Sequence, residues 1–281
     1  MSTLVPTLFA GLVDDASLLP PTFTSLPDAV SKHAEHRAGW FAALLGPLLV
    51  PASVIGADLP TQELPVALVG DVPMSAVPVA VEKLRAAGAV VFHVEAPVAR
   101  RGEDPQPGLA DLRGLAGHDK DLVVYAEIPL SWGLLAALDT VAEFRAEGLR
   151  MAPKFRVGGL AAELFPTPVE LAAVICACRD RDLPFKLAAG LRHALRHTDP
   201  ETGFTHHGFL NVLVATAAAG DGAEVADIAE ALAATHPVPL VEPARARRDQ
   251  PRPLWAGFGA VNVLEPLTEL IRLGLINGGY E

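Results

Sequence analysis

The chain has 281 residues, of which 51% are apolar and 20% are charged, so it can bury the large core of one domain. Its formal net charge of −11 excludes a broad basic surface of the kind that nucleic-acid phosphates require. An anionic ligand would therefore need a local pocket of positive charge.

Short apolar segments alternate with amphipathic segments along the chain, which is typical of parallel strands joined by helices. The predicted strands are residues 8–13, 47–50, 65–69, 90–95, 122–127, 152–157, 185–189 and 253–258. The predicted helices are residues 28–45, 74–87, 109–116, 132–147, 166–180, 209–219, 224–236 and 265–274.

Eight strands with this alternation predict an α/β fold, a (β/α)₈ TIM barrel. We predict that it forms a single domain over residues 1–281, with a long insertion after the seventh strand. The Pro- and Arg-rich stretch 243–253 is predicted to be a loop rather than a domain boundary.

Two lysines that each close a predicted strand carry the strongest functional signal. Lys154 lies in Met-Ala-Pro-Lys-Phe-Arg-Val-Gly-Gly, and Lys186 lies in Pro-Phe-Lys-Leu-Ala-Ala-Gly-Leu-Arg. They are about 30 residues apart, the length of a βαβ unit, so we expect them on successive strands. Each of two neighbouring ammonium groups disfavours protonation of the other, which is one way to make a reactive neutral amine.

Alternation of side chains along each strand predicts which residues face the barrel interior. The polar residues that share the predicted inner face near the C-terminal strand ends are His93, Glu95, Tyr125, Glu127, Lys154, Arg156, Lys186, Gly190 and Arg192. Barrel enzymes build their active sites at this end. Asp14 and Asp15 follow the first predicted strand at the same end, where one of them would act as a base or metal ligand, or would cap a helix or turn.

Four short motifs, in chain order, resemble deoxyribose-phosphate aldolase, a class I aldolase family built on this barrel. The fifth strand ends in Val-Val-Tyr-Ala-Glu127, and Lys154-Phe-Arg-Val-Gly158 is similar to the family's Lys-Thr-Ser-Thr-Gly motif at the lysine and the glycine. Lys186-Leu-Ala-Ala-Gly-Leu-Arg192 is similar to a Lys-x-x-Gly-Gly-x-Arg motif except at its fourth residue. Ala-Gly-Phe-Gly-Ala, ending at residue 260, resembles the family's phosphate loop. The motifs lie within 122–260, and an unmatched insertion lies near 193–251.

The resemblance implies a mechanism and a set of residues. Lys154 would form a Schiff base with a carbonyl substrate, and Lys186 would lower the pKa of Lys154 by charge proximity. Five glycines would offer backbone N–H groups to a phosphate or another anion: Gly158, Gly159, Gly190, Gly257 and Gly259. No cofactor is expected.

Two departures from the family motifs predict a different substrate. Phe155-Arg156-Val157 replaces the hydroxyl residues after the first lysine, which introduces a fixed positive charge. His93 and Glu95 occupy the end of the fourth strand, where the family has an aspartate that transfers protons.

We therefore expect a small anionic carbonyl compound, such as a carboxylate bound by Arg156. His93, Glu95 and Glu127 are the candidates for proton transfer. Asp14 and Arg192 are further candidates for substrate binding.

Three alternatives stay open from the sequence. The lysines would serve only structure if they formed a buried ion-pair network with Glu95 and Glu127, because interior charges need partners. A metal-dependent isomerase or hydrolase would use Glu95, Glu127, His93 and Asp14. A barrel without catalysis would bind an anion as a sensor.

The insertion carries four histidines: His193, His197, His206 and His207. His193 and His197 have the i, i+4 spacing of a ligand pair on a helix. Since Arg192 and Arg196 would repel a cation, we expect no metal there. The sequence favours a lid over the barrel mouth.

Cysteine usage and the N-terminal residues predict a cytoplasmic protein. Cys176 and Cys178 lie two residues apart on a predicted helix and point in different directions, so no disulfide is expected. The first residues lack the basic segment of a signal peptide. Pro47 and Pro51 interrupt the uncharged run 39–57, which favours a buried strand over a membrane span. We expect a small-molecule substrate and no nucleic-acid or membrane partner, and a homo-oligomer stays open.

Overall fold

The computed structural model describes residues 4–22, 24–56 and 63–278. Residues 1–3, which are part of the segment from which we predicted no signal peptide, lie outside these ranges. The last residue of the uncharged run 39–57 also lies outside them. The body of that run contains a buried strand, as predicted. No helix in the described ranges is long and apolar enough to cross a membrane.

Eight parallel strands close into a barrel, and an antiparallel hairpin of two short strands is separate from it. In chain order the strands are β1 (Val13–Asp15), β2 (Leu45–Pro51), β3 (Pro65–Val69), β4 (Val90–Pro97), β5 (Val123–Glu127), β6 (Met151–Arg156), β7 (Phe185–Ala188), β8 (His197–Thr198), β9 (Thr205–His206) and β10 (Trp255–Ala260). β8 and β9 form the hairpin, and β10 closes the ring between β7 and β1. The predicted (β/α)₈ barrel is confirmed.

Helices connect and surround the strands, and their apolar faces form most of the core. They are α1 (Leu26–Ala38), α2 (Val77–Ala86), α3 (Gln106–His118), α4 (Leu134–Ala146), α5 (Pro168–Arg179), α6 (Phe209–Gly220), α7 (Val225–Ala233), α8 (Val238–Ala246) and α9 (Leu264–Arg272). The core consists mainly of leucine, valine and alanine, as the composition implies. The hairpin and α6 to α8 make up the insertion after the seventh strand.

The first strand lies later in the chain than its prediction at residues 8–13. Thr7–Phe9 form a short 3₁₀ helix, and β1 contains both Asp14 and Asp15. In the sequence the two aspartates look like residues that follow a strand. In the structure both lie within the strand, and each carboxylate contacts a buried side chain. Asp15 points outward to His33 of α1, with 3.0 Å between carboxylate oxygen and Nδ1, and Asp14 points inward to a lysine of β7.

The prediction of a loop over residues 243–253 is wrong for its first residues, which belong to α8. Pro239 lies in the first turn of α8, where a missing N–H is tolerated. Leu240 and Val241 are buried, so packing against the core holds the helix in spite of Pro243 in its interior.

The register of the strands brings the predicted inner residues side by side. Glu127 pairs with Lys154, and Lys154 pairs with Lys186. Because register partners on parallel strands have side chains on the same face, the three side chains form one row. Glu95 pairs with Tyr125, two residues closer to the N-terminal ends of the strands.

Candidate active site

The barrel interior contains a network of alternating charges. Lys154 Nζ lies 2.8 Å from one oxygen of Glu95 and 2.7 Å from Glu127 Oε2. Lys186 Nζ lies 2.5 Å from the other oxygen of Glu95 and donates a hydrogen bond to Asp14. Glu95, at 1% exposure, therefore bridges the two lysines with its two oxygens.

Lys186 is held on further sides by His93 and Tyr125. His93 Nε2 lies 3.1 Å from Lys186 Nζ and 3.0 Å from Glu95 Oε1. The ammonium also lies 5.2 Å from the centre of the Tyr125 ring, within the range of a cation–π contact. Burial and the charge of Lys186 lower the pKa of His93, so its imidazole is neutral at neutral pH.

The carboxylates raise the pKa of both lysines. Burial alone would lower the pKa of Lys154, but the charges of Glu95 and Glu127 raise it above its ordinary value. Asp14 and Glu95 overcome burial in the same way and raise the pKa of Lys186. The two carboxylates within 2.8 Å of the amine outweigh the repulsion from Lys186, so the expected net lowering of the Lys154 pKa is wrong for this arrangement.

The same attraction acts on Glu95 with the opposite sign. Burial would raise the pKa of Glu95, but Lys154 and Lys186 bring it well below its ordinary value. Glu95 is thus a carboxylate between two ammonium groups. The predicted ion-pair network is present, and it leaves the catalytic roles of its members as predictions.

Exposure falls step by step from the barrel mouth to its centre. The side chain of Arg156 is 51% exposed and lies 3.7 Å from Glu127, which is 18% exposed. Lys154 comes next at 7%, and Lys186 at 4%. Arg156 and Glu127 also line a cleft of about 880 Å³ that opens beside the barrel mouth.

The five predicted anion-binding glycines have packing constraints of their own. A Cβ atom on Gly158 would lie 2.8 Å from Gly190 Cα, so the loops after β6 and β7 touch through their backbones. Gly257 has a φ of +143°, a region that favours glycine. A Cβ on Gly159 or Gly259 would meet a leucine side chain. Anion binding by these glycines stays a prediction.

Arg192 lies away from the network, and its predicted inward position is wrong. β7 ends at Ala188, and the next residues, Ala189 and Gly190, have positive φ angles. The strand alternation therefore does not extend to Arg192, whose side chain is 61% exposed and lies 3.9 Å from Glu265.

Three of the four insertion histidines pack in a row. The rings of His193 and His197 meet edge to face with their centres 4.4 Å apart, and the rings of His197 and His206 stack with their centres 5.1 Å apart. His206 Nδ1 lies 3.2 Å from the carbonyl oxygen of Gly190, which joins the hairpin to the loop after β7. His207 is buried separately against a backbone carbonyl. The hairpin thus lies beside the barrel mouth, and its function as a lid stays a prediction.

Among the described residues, one group has the geometry of a cation site. Asp14, His93 and Glu95 offer ligand atoms within 4.8 Å of one another. Lys186 Nζ contacts all three of them. The ammonium takes the position of the cation, so a metal ion would have to displace Lys186.

Sequence reasoning missed residues that support or extend the site. A Cβ atom on Gly46 of β2 would overlap the Asp14 carboxylate, so this strand needs glycine at that position. Arg100 and Arg101 line the cleft together with Arg156. Their signal in the sequence is a basic pair shortly after the fourth strand.

No protein-family model matches the sequence, and a search of curated proteins finds no significant match. The chemistry must be inferred from the site itself.

Proposed function

We propose that the protein is a Schiff-base-forming lyase of the class I aldolase type, acting on a small anionic carbonyl compound. The observation that carries the proposal is the position of Lys154. Its amine lies between Glu95 and Glu127, beside Lys186 in the strand register, and Glu127 lines the open cleft.

The carboxylates beside Lys154 provide a route for the proton that must leave the ammonium before it can react. Glu127 is the more exposed of the two, so it can accept the proton at 2.7 Å and release it to solvent. Lys186, held by Asp14 and Glu95, remains positively charged next to the amine. Its charge favours the neutral form of Lys154 once Glu127 is protonated.

The reaction then follows amine chemistry. The nitrogen of neutral Lys154 attacks the carbonyl carbon of the substrate to give a carbinolamine, which takes up a proton and loses water to form an iminium ion. The iminium accepts the electron pair of the bond between its α and β carbons as that bond breaks, which leaves an enamine on Lys154. A carboxylate takes the proton of the β-hydroxyl group that becomes the new carbonyl. The enamine takes up a proton at its α carbon, and hydrolysis of the resulting iminium releases the second product and regenerates Lys154. Arg156 holds the anionic group of the substrate.

Borohydride trapping tests the proposal. The protein is incubated with a panel of aldehydes and keto acids, reduced, and weighed by intact mass spectrometry. A reduced adduct adds the mass of the carbonyl compound less one oxygen atom. We expect such an adduct with the wild type and none with a folded Lys154→Ala variant. An equal adduct in both proteins, or none across the panel at neutral and mildly alkaline pH, would reject Lys154 as the nucleophile.

A metal-dependent isomerase or hydrolase is the second candidate, because Asp14, His93 and Glu95 lie within ligand distance of one another. Its test is elemental analysis of protein purified without chelator. A stoichiometric divalent metal that is lost in Glu95→Gln would favour this candidate over the lyase.

A further inference from the structure

We infer that the cleft beside the site binds an apolar tail of the substrate. The substrate class is then an amphipathic keto acid, with a carboxylate near Arg156 and an aliphatic or aromatic group in the cleft. The inference rests on the proposed function for the carbonyl chemistry, but the binding site it describes is tested separately.

The cleft is continuous with the charge network. Glu127 and Arg156 lie at its inner end, and Glu127 also contacts Lys154. From there it runs outward between the loops after β4, β5 and β6 to the exposed side of α5. Lys154 itself does not line the cleft, and Glu127 lies between them. A molecule that reaches Lys154 past Glu127 would have its remaining atoms in the cleft.

The outer walls of the cleft are mostly apolar, although Ser131, Glu163 and Glu170 also line it. These walls are formed mainly by Leu130, Leu134, Leu135, Leu164, Phe165 and Val174. The volume of about 880 Å³ lies in the range of sites that enclose drug-sized ligands. A compact sugar phosphate would fill a small part of this space and would place hydroxyl groups against leucine side chains.

The charged residues that line the cleft are Arg100, Arg101, Glu127, Arg156, Glu163 and Glu170. Of the three arginines, Arg156 is the one beside Glu127, where a single carboxylate would bind. Arg101 donates a hydrogen bond to the carbonyl oxygen of Leu130, which fixes its guanidinium to the wall. Within the part of the chain that the structure describes, the one ion-pair contact of Arg156 is with Glu127 at 3.7 Å, and its side chain is half exposed, so it retains hydrogen-bond donors for an anion. A carboxylate on Arg156 leaves the tail to extend along the apolar wall.

The test measures binding without requiring the reaction. Straight-chain alpha-keto acids that grow by one methylene at a time are titrated by calorimetry into wild type and into Lys154→Met. We expect the Kd to fall about fourfold for each added methylene, which corresponds to about 0.8 kcal/mol per buried CH₂ group. The fall should be similar in both proteins, because the tail does not contact Lys154.

A matched pair of variants locates the tail. Ala173 is an exposed cleft residue on α5, and Ala136 is an exposed residue of α4 that does not line the cleft. Ala173→Trp should abolish the gain from long chains and leave short keto acids bound as in the wild type, and Ala136→Trp should keep the full gain. Leu135→Ser provides a second variant, which should weaken only the long-chain acids.

The outcomes separate this inference from the lyase proposal. A wild-type Kd that does not depend on chain length, or a wild-type dependence that persists unchanged in both Ala173→Trp and Leu135→Ser, overturns the cleft as a tail site even if trapping on Lys154 succeeds. A chain-length dependence that Ala173→Trp removes supports the cleft even if no adduct forms, and in that case the lyase proposal alone fails.

Discussion

The two halves of the barrel interior are filled in opposite ways. The charged half is formed by β1 and β4 to β7, and its residues are Asp14, Glu95, Glu127, Lys154 and Lys186. The apolar half is formed by β2, β3 and neighbouring loops, and its residues are Ala16, Leu49, Ala67, Val69 and Val261.

The difference shows that filling the barrel does not require charges. Leu49 and Ala67 are register partners, and Ala67 pairs with His93, so both kinds of residue share one continuous inner face. On one side, apolar side chains such as Leu49 and Ala67 fill that face. Buried ion pairs are costly relative to apolar packing, and this cost is the reason to test the charged half for a function.

The largest effect on stability is expected at the centre of the charged half. Glu95→Gln keeps the shape of the side chain but leaves two lysines without their shared carboxylate. We expect the free energy of unfolding to fall by about 3–5 kcal/mol, the usual cost of removing one partner of a buried ion pair. Urea denaturation followed by circular dichroism measures it, and a loss below about 1 kcal/mol would show that the charges are not coupled as described.

The apolar half should respond to lost volume and not to charge. Leu49→Ala removes buried methyl groups at 3% exposure, and we expect a loss of about 3 kcal/mol from the transfer and cavity costs. The loss should be the same at pH 7 and at pH 5. A loss of stability that differs between pH 7 and pH 5 would show that the apolar half is coupled to the charges.

The two halves should also differ in how the free energy of unfolding depends on pH in acid. The folded-state pKa of Glu95 lies well below its ordinary value of 4.5, so its contribution to stability is present above that value and is lost as the pH falls through the folded-state pKa. Below about pH 4.5, each proton taken up on unfolding costs up to about 1.4 kcal/mol of stability per pH unit. We expect Leu49→Ala to keep the wild-type pH slope and Glu95→Gln to have a shallower one. If the free energy of unfolding changes equally with pH in all three proteins, Glu95 does not contribute to stability in acid.

The smallest effect on stability is expected at the mouth of the charged half. Arg156→Met removes a half-exposed guanidinium at 3.7 Å from Glu127, so the free energy of unfolding should change by less than about 0.5 kcal/mol. The affinity for anionic keto acids should fall at least tenfold, because a charge-assisted hydrogen bond is lost. Calorimetry with a keto acid and its uncharged ester checks this. An equal loss for the ester would exclude Arg156 as the carboxylate ligand.

Much of the fold followed from the periodicity of the sequence. The third strand matches its predicted bounds, and the inner positions of Glu95, Lys154 and Lys186 follow from simple alternation. The first strand was misplaced because its aspartates are buried only through partners distant in the chain. Arg192 was misplaced because alternation stops where the backbone turns after Ala188.

The electrostatics of the site were less accessible from the sequence. Alternation gives the face on which a side chain lies, but it does not give the distances that set the pKa of Lys154. The cleft was missed because residues from three separate connections form it. The basic pair Arg100 and Arg101, which did not enter the prediction, is the signal in that region that could have pointed to a binding surface.

Peptide mapping of a borohydride-trapped adduct tests the central claim most directly, with Lys154→Met and Lys186→Met as a matched pair. If Lys154 is the nucleophile and Lys186 its charged neighbour, the wild-type adduct lies on the peptide that contains Lys154. Lys154→Met then forms none, and Lys186→Met forms it more slowly on the same peptide. An adduct on Lys186, or one that persists in folded Lys154→Met, would contradict the account.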